Sequence, residues 1–269
     1  MPSSVLQKLR DVSKDPPRPI TCLIYGETKV GKTHFLSTFP GPILVLGVAA
    51  ERGADPTLRA SKREDIRVID LVGPQGHPEG ENQASMEEIL DEAPELVAEG
   101  EFKTVAVDTA SLYAQSCTNQ YTDYGASKMD FDKWRELSQH FMNIRDAFNS
   151  LPVHFVWTAH VKAERNDEAI VTLRADLPGS SYGNIAKACN IIAYLDKVQK
   201  EVEADDGKKR AAGFKTIHRM WVKCPPSADP VFSVGTHFDE VFTKECYPPS
   251  FATFEELLVR RQEIPLIAV

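Results

Sequence analysis

"ITCLIYGETKVGKTHFLSTF", residues 20–39, carries a strand signal, a glycine-rich turn and a helix signal in direct succession. The run Ile20–Tyr25 is apolar and partly β-branched with no polar alternation, which predicts a strand buried on both faces. Lys32 to Phe39 reads as helical. Between them, Gly26-Glu27-Thr28-Lys29-Val30-Gly31-Lys32-Thr33 satisfies Gly-x-x-x-x-Gly-Lys-[Ser/Thr]. Its glycines let the backbone curl until successive N–H groups point inward, a concavity suited to phosphate oxygens. Lys32 then reaches the β- and γ-phosphates and the Thr33 hydroxyl ligates Mg²⁺. The N-terminus of the following helix, with His34 in its first turn, adds favourable potential for an anion. The competing reading is an ordinary glycine-rich β–α turn with an exposed lysine. The strand and helix flanks favour a nucleotide-phosphate loop over Gly26–His34.

Outward from this loop the same alternation continues. "PILVLGV" (42–48), "KTVAVDT" (103–109) and "VHFVWTAH" (153–160) read as further buried strands, and "DIRVIDLV" (65–72) as a shorter one. Helices are expected at 84–99, with Met86, Ile89, Leu90, Ala93 and Val97 at helical spacing, and at 132–151. Strands that are apolar throughout and separated by helices predict an α/β domain with a mostly parallel sheet covered on both faces. "KDPPRP" (14–19) cannot continue a helix, so residues 1–19 read as an extension and linker ahead of a core spanning 20–225. Beyond residue 160 the pattern turns irregular. "FKTIHRMWVK" (214–223) suggests part of a hairpin, and 226–269 reads as a C-terminal extension of antiparallel edge strands and loops, with a short helix at 251–261.

Bulk properties narrow the classes. The chain has 269 residues and a formal net charge of −8, which argues against a generally basic, nucleic-acid-coating surface while leaving room for a local basic groove. No apolar run is long enough to cross a bilayer and the N-terminus lacks a signal-peptide core, so the expected compartment is the cytoplasm. The five cysteines are scattered, without Cys-x-x-Cys pairs or nearby His at zinc spacing, and read as reduced thiols.

Three strand ends supply the remaining chemistry. Asp108 ends "TVAVD", where a carboxylate can hold Mg²⁺ through its water shell; the alternative is a plain strand-end acid. "VWTAH" ends in Thr158 and His160, polar groups that at this edge can sense a γ-phosphate; the alternative is a surface histidine. In "PILVLGVAAERGADP" (42–56) Glu51 follows a buried strand of the same sheet. It is either the first wet residue or a carboxylate placed to orient the attacking water.

The order "GETKVGKT", "LGVAAERGAD", "TVAVDT", "VWTAH" resembles the RecA/Rad51-type core, and more narrowly the phage-type AAA-domain ATPases of the Sak4-like single-strand-annealing group, over about residues 18–200. The resemblance implies a single RecA-like P-loop NTPase domain that hydrolyses ATP with Mg²⁺ between subunits of a ring or filament. It also implies binding of single-stranded DNA in homologous recombination or strand annealing, in a host cytoplasm if the chain is phage-encoded. It assigns water positioning to Glu51, the Mg²⁺ aspartate to Asp108, and the polar sensor to His160. Lys32 and Thr33 keep the roles read from the loop. One departure is Ala49, where many phage relatives carry an acid.

For DNA, the segment after His160 offers Lys162, Arg165 and Arg174, diluted by Glu164 and Asp176. A second expected loop, "YAQSCTNQYTDYGASKMDF", offers Tyr121 and Tyr124 as stacking platforms beside Lys128; packing is the alternative. Arg219 and Lys223 are candidates for a cation reaching a neighbouring subunit's site, or for basic guards of an edge strand. A single-strand-binding protein is a further partner to consider. Two other functions stay open: a nucleotide-gated assembly protein with little hydrolysis, and a P-loop kinase, against which stands the lack of a compact arginine-rich lid.

Overall fold

The computed structural model describes residues 19–48, 54–74, 83–166, 169–202 and 213–256. In chain order these form β1 (Thr21–Gly26), α1 (Lys32–Leu36), β2 (Ile43–Val48), α2 (Ala54–Ala60), β3 (Ile66–Leu71), β4 (Gln83–Ala84), α3 (Met86–Asp91) and α4 (Ala93–Glu99). Then follow β5 (Thr104–Asp108), α5 (Ala110–Tyr121), α6 (Phe131–Asn149), β6 (His154–Arg165), β7 (Val171–Ala175) and α7 (Ser181–Ala188). Last come β8 (Ile191–Val202), β9 (Gly213–Trp221), β10 (Val231–Phe232), β11 (Gly235–Thr236) and β12 (Cys246–Tyr247), with a helix at 251–256.

The sheet runs β12-β9-β8-β1-β6-β5-β2-β3-β4. From β8 to β4 its neighbours are parallel, while β9 and β12 add antiparallel strands at one edge. β1, β2 and β5 are buried along their whole length, which is why their sequences show no alternation. Successive side chains nevertheless go to opposite faces. Leu23, Tyr25, Val105, Val107, Phe155 and Trp157 join the core under α5 and α6, and Cys22, Ile24, Val45, Ala106 and Val156 join the core under α1. The α/β fold expected from the sequence, mostly parallel with helices on both faces and antiparallel edge strands, is the one observed, and β6 sits between the loop-bearing β1 and the Asp108-bearing β5.

Several boundaries differ from expectation. The expected helix at 84–99 is two: Ser85 and Glu88 form a capping box on α3, and Pro94 at the start of α4 cannot carry the helix through because it lacks an N–H. β6 does not end at His160 but continues to Arg165 and turns back as β7, so the irregular reading of 161–175 is corrected to an antiparallel hairpin. Tyr121 lies not in a loop but in the last turn of α5, packed against the core; Thr109 caps the start of that helix by accepting from the Leu112 N–H. The described residues beyond 225 are tied into the core. β10 pairs with β7, β11 with β8 and β12 with β9, while Phe254 meets Phe35, Phe39 and Phe242.

Cys22, Cys117 and Cys189 are buried and burial pushes their thiols up, the Cys117 thiol to about 12, consistent with inert reduced side chains. Two histidines, His140 buried and His154 half-buried, are held neutral, each pushed down to about 4 by burial. His154 Nδ1 accepts the Ile20 N–H at 3.0 Å, which protonation would forbid, and His140 Nε2 shares a hydrogen bond of 2.6 Å with the Tyr113 hydroxyl.

Because both folded values lie below the ordinary imidazole value, the unfolded chain takes up protons first as pH falls. Stability should therefore be undiminished above about pH 6.5 and lost progressively toward pH 4, by about 2 kcal/mol per histidine at pH 5. Denaturant midpoints measured from pH 7 to 5 should fall accordingly, and His140→Leu should flatten the profile. An unchanged slope in that variant would place the acid sensitivity elsewhere.

Candidate functional site

β1 delivers Gly26 to the carboxyl edge of the sheet, where the chain must leave the strand beside β8. A Cβ on Gly26 would strike the Leu195 carbonyl and come within 3.1 Å of Val30 Cγ1, so the loop can start here only without a side chain. Gly31 closes the loop at φ +105°, a left-handed conformation, and is the N-cap of α1. Lys32 follows, only 5% exposed, with its ammonium donating to the Gly26 and Glu27 carbonyls at 3.0 and 2.9 Å. The Lys32 side chain therefore folds back over the mouth of its own loop.

Asp108, 2% exposed at the end of β5, is reached from two sides. The Thr33 hydroxyl donates to its Oδ2 at 2.8 Å, and the Thr158 hydroxyl of the intervening β6 donates to its Oδ1. These donors leave only oxygen ligands at the point where Thr33 and Asp108 converge. Such a set fits Mg²⁺, which keeps several waters and takes one or two protein oxygens together with phosphate oxygens. Among the described residues no cluster of three or more His, Cys, Asp or Glu forms a separate metal site.

His160 stands opposite Gly26 in the β1–β6 register. Its N–H donates to Ser111 Oγ at 2.9 Å, and its carbonyl accepts the Asp176 N–H at 2.8 Å. Burial, with the Lys32 ammonium adding to it, holds its imidazole below the usual range; Asp176, Asp108 and Glu27 oppose the shift.

A cavity of about 850 Å³ opens over the loop, lined by residues 28–34 and, across from them, Thr57, Ala60, Thr109, His160, His218 and Pro249. Thr57, Ala60, Thr109, His218 and Pro249 were not legible as lining residues. Thr109 alone had a signal, as a capping threonine between a strand and a helix. Glu51 lies outside the described residues. β2, which precedes it, ends at this same edge, with Gly47 opposite Asp108.

The other predicted residues lie away from the cavity. Arg174 is engaged by Glu164 at 2.5 Å and stacks over Tyr182, and Lys162 approaches the same carboxylate at 3.6 Å, while Arg165 is exposed. Tyr121 is half-buried. Tyr124, by contrast, is 78% exposed in the α5–α6 turn at φ +51°, and Phe131 and Trp134 in the first turn of α6 are 80% and 40% exposed. Arg219 is held by a bidentate pair with Asp196 of its own chain and covers Trp221; Lys223 follows β9 and lies 3.5 Å from Asp239.

Strand order, loop and the Thr33–Asp108 contact define an α/β P-loop fold with a site suited to nucleotide phosphate. The chain belongs to the AAA domain family, whose match spans residues 18–223, and it is accordingly an ATP-hydrolysing enzyme. Solved structures also match, among them that of a KaiC-like protein from the hyperthermophilic archaeon Pyrococcus horikoshii OT3. That one has 16% identity and a TM-score of 0.42, covering 81% of this chain and 91% of the other. No curated protein matches the chain. No helix among the described residues is long and apolar enough to cross a membrane.

Asp108→Asn keeps the size of the side chain and removes its charge. It should lower Mg²⁺-dependent ATP turnover about 100-fold, about 2.7 kcal/mol of barrier, in a protein that melts normally. Turnover within a few-fold of wild type in a malachite-green phosphate assay would remove Asp108 from the reaction.

Proposed function

We propose that the protein is a Mg²⁺-dependent ATPase that works as an oligomer on single-stranded DNA in recombination or strand annealing. The observation that carries the nucleotide part is the contact of Thr33 of α1 with Asp108 of β5, beside a loop whose mouth is covered by the Lys32 ammonium. Loop N–H groups over Gly26–His34 receive the ATP phosphates, and the Lys32 ammonium exchanges its carbonyl acceptors for β- and γ-oxygens. Thr33 and Asp108 hold Mg²⁺, which when bound neutralises charge on those oxygens. Glu51, a few residues past the end of β2, orients the attacking water. His160 reads the γ-phosphate, and β6 runs unbroken from it to Arg165, so a shift at His160 is passed along the β6–β7 hairpin.

The DNA part is supported by the α5–α6 turn. Tyr124 and Lys128 are exposed in that turn, and Phe131 and Trp134 are exposed in the first turn of α6 that follows it. Aromatic faces with nearby cations suit unpaired bases, each stack being worth about 1–3 kcal/mol. This reading moves the stacking platform from Tyr121 to Phe131 and Trp134.

Single-stranded DNA should raise ATP turnover, and Tyr124→Ala or Trp134→Ala should weaken binding of a labelled oligonucleotide by about tenfold each. If ATP-loaded protein neither binds single-stranded DNA nor changes its turnover with it, the recombination reading is wrong. Glu51→Gln should bind ATP normally yet lose about 100-fold in turnover; full activity in that variant would return Glu51 to the protein surface as an ordinary charge.

A further inference from the structure

The β8–β9 hairpin does more than close one edge of the sheet. Its register sets Lys197 opposite His218, one rung beyond the pair Asp196 and Arg219. From that rung both side chains turn onto the crown of the phosphate loop. His218 Nδ1 lies 2.8 Å from the Val30 carbonyl oxygen, and Lys197 Nζ lies 3.3 Å from the Lys29 carbonyl oxygen. A carbonyl only accepts, so Nδ1 of His218 is the donor and carries the proton of this hydrogen bond.

The consequence follows from the planarity of the peptide unit. In a trans peptide the carbonyl and the N–H of the next residue point in opposite directions. Holding the Val30 carbonyl against the hairpin therefore fixes the Gly31 N–H on the far side of the same plane. Gly31 is the residue at φ +105°, a conformation whose torsions are otherwise soft because no side chain restricts them. The His218 ring also occupies the space beside it: a Cβ on Gly31 would sit 3.5 Å from His218 Nδ1. Arg219, locked to Asp196 and stacked on Trp221, stiffens the adjoining rung.

We infer that His218 is a positioning residue for nucleotide binding, acting within its own chain by pinning the Val30–Gly31 peptide so that the loop is shaped for phosphate before ATP arrives. This inference rests on the nucleotide site proposed above. The hydrogen bond of His218 is to the loop backbone, so the contribution inferred for it is made equally to substrate and transition state. Its loss should appear in affinity and not in the rate at saturation.

The experiment is direct nucleotide titration of the full chain, using a fluorescent ATP analogue with Mg²⁺, together with steady-state turnover. His218→Leu should weaken binding about tenfold and raise KM by the same factor, with kcat within about twofold of wild type. His218→Asn, whose amide can place a donor near the lost Nδ1, should recover most of the affinity. Equal affinity in wild type and His218→Leu would overturn the inference. So would a fall in kcat at unchanged Kd, which would make His218 a group of the reaction itself. Failure of His218→Asn to recover affinity, in a protein of normal melting temperature, would also overturn it. If wild type itself binds no nucleotide, it is the site reading that fails, a result distinct from any of these.

Discussion

Everything at the working edge of this molecule depends on a buried carboxylate that receives two hydroxyl groups. Asp108 could not be held at the end of a fully buried strand without them, because an unpartnered charge in such surroundings would be too costly. Thr33 and Thr158 satisfy it, and they belong to different structural elements. The carboxylate thereby connects the helix after the loop, the central strand β6 and its own strand β5. The separation of β1 and β5 is set by β6, which pairs with both, and the Thr158 hydroxyl of that strand reaches the carboxylate.

That arrangement explains how the rest of the fold is distributed. Parallel strands bring all their carboxyl ends to one edge, so the loop, Asp108 and His160 meet without any long excursion of the chain. The two cores on either side of the sheet provide rigidity. Rings such as Trp157, Phe141 and Phe155 interlock on one face, and Phe35 and Phe39 on the other. Among the described residues, the α5–α6 turn and the outer part of β6 are exposed.

How much of this could be read from the sequence depends on whether a feature is local. The phosphate loop was legible because glycine, lysine and threonine at fixed spacing are demanded by backbone geometry that no distant residue alters. β1, β2 and β5 were legible because burial on both faces erases alternation. Asp108 could be nominated from its place at the end of an apolar run. By contrast, "VKAERNDEAIVTLRA" looked irregular because its strands are half-exposed and carry charges paired across the hairpin, Arg174 with Glu164. Tyr121 was misjudged because a polar-rich helix such as α5 gives only a weak periodic signal. His218 was invisible as part of the site. Its relation to Val30 exists only once β9 has paired with β8 and β8 with β1.

The packing of Phe251 and Phe254 has an implication for biogenesis. Helix α1, which carries Lys32 and Thr33, spans only Lys32–Leu36, too short to persist by its own hydrogen bonds. It is completed by aromatic rings from the other end of the described chain and by the Phe251 N–H, which donates to Thr38 Oγ1 at 2.8 Å. During synthesis the loop motif emerges early but the residues that seat its helix emerge late. The helix that carries Lys32 and Thr33 is therefore seated only once residues more than two hundred positions further along have been made and folded against it.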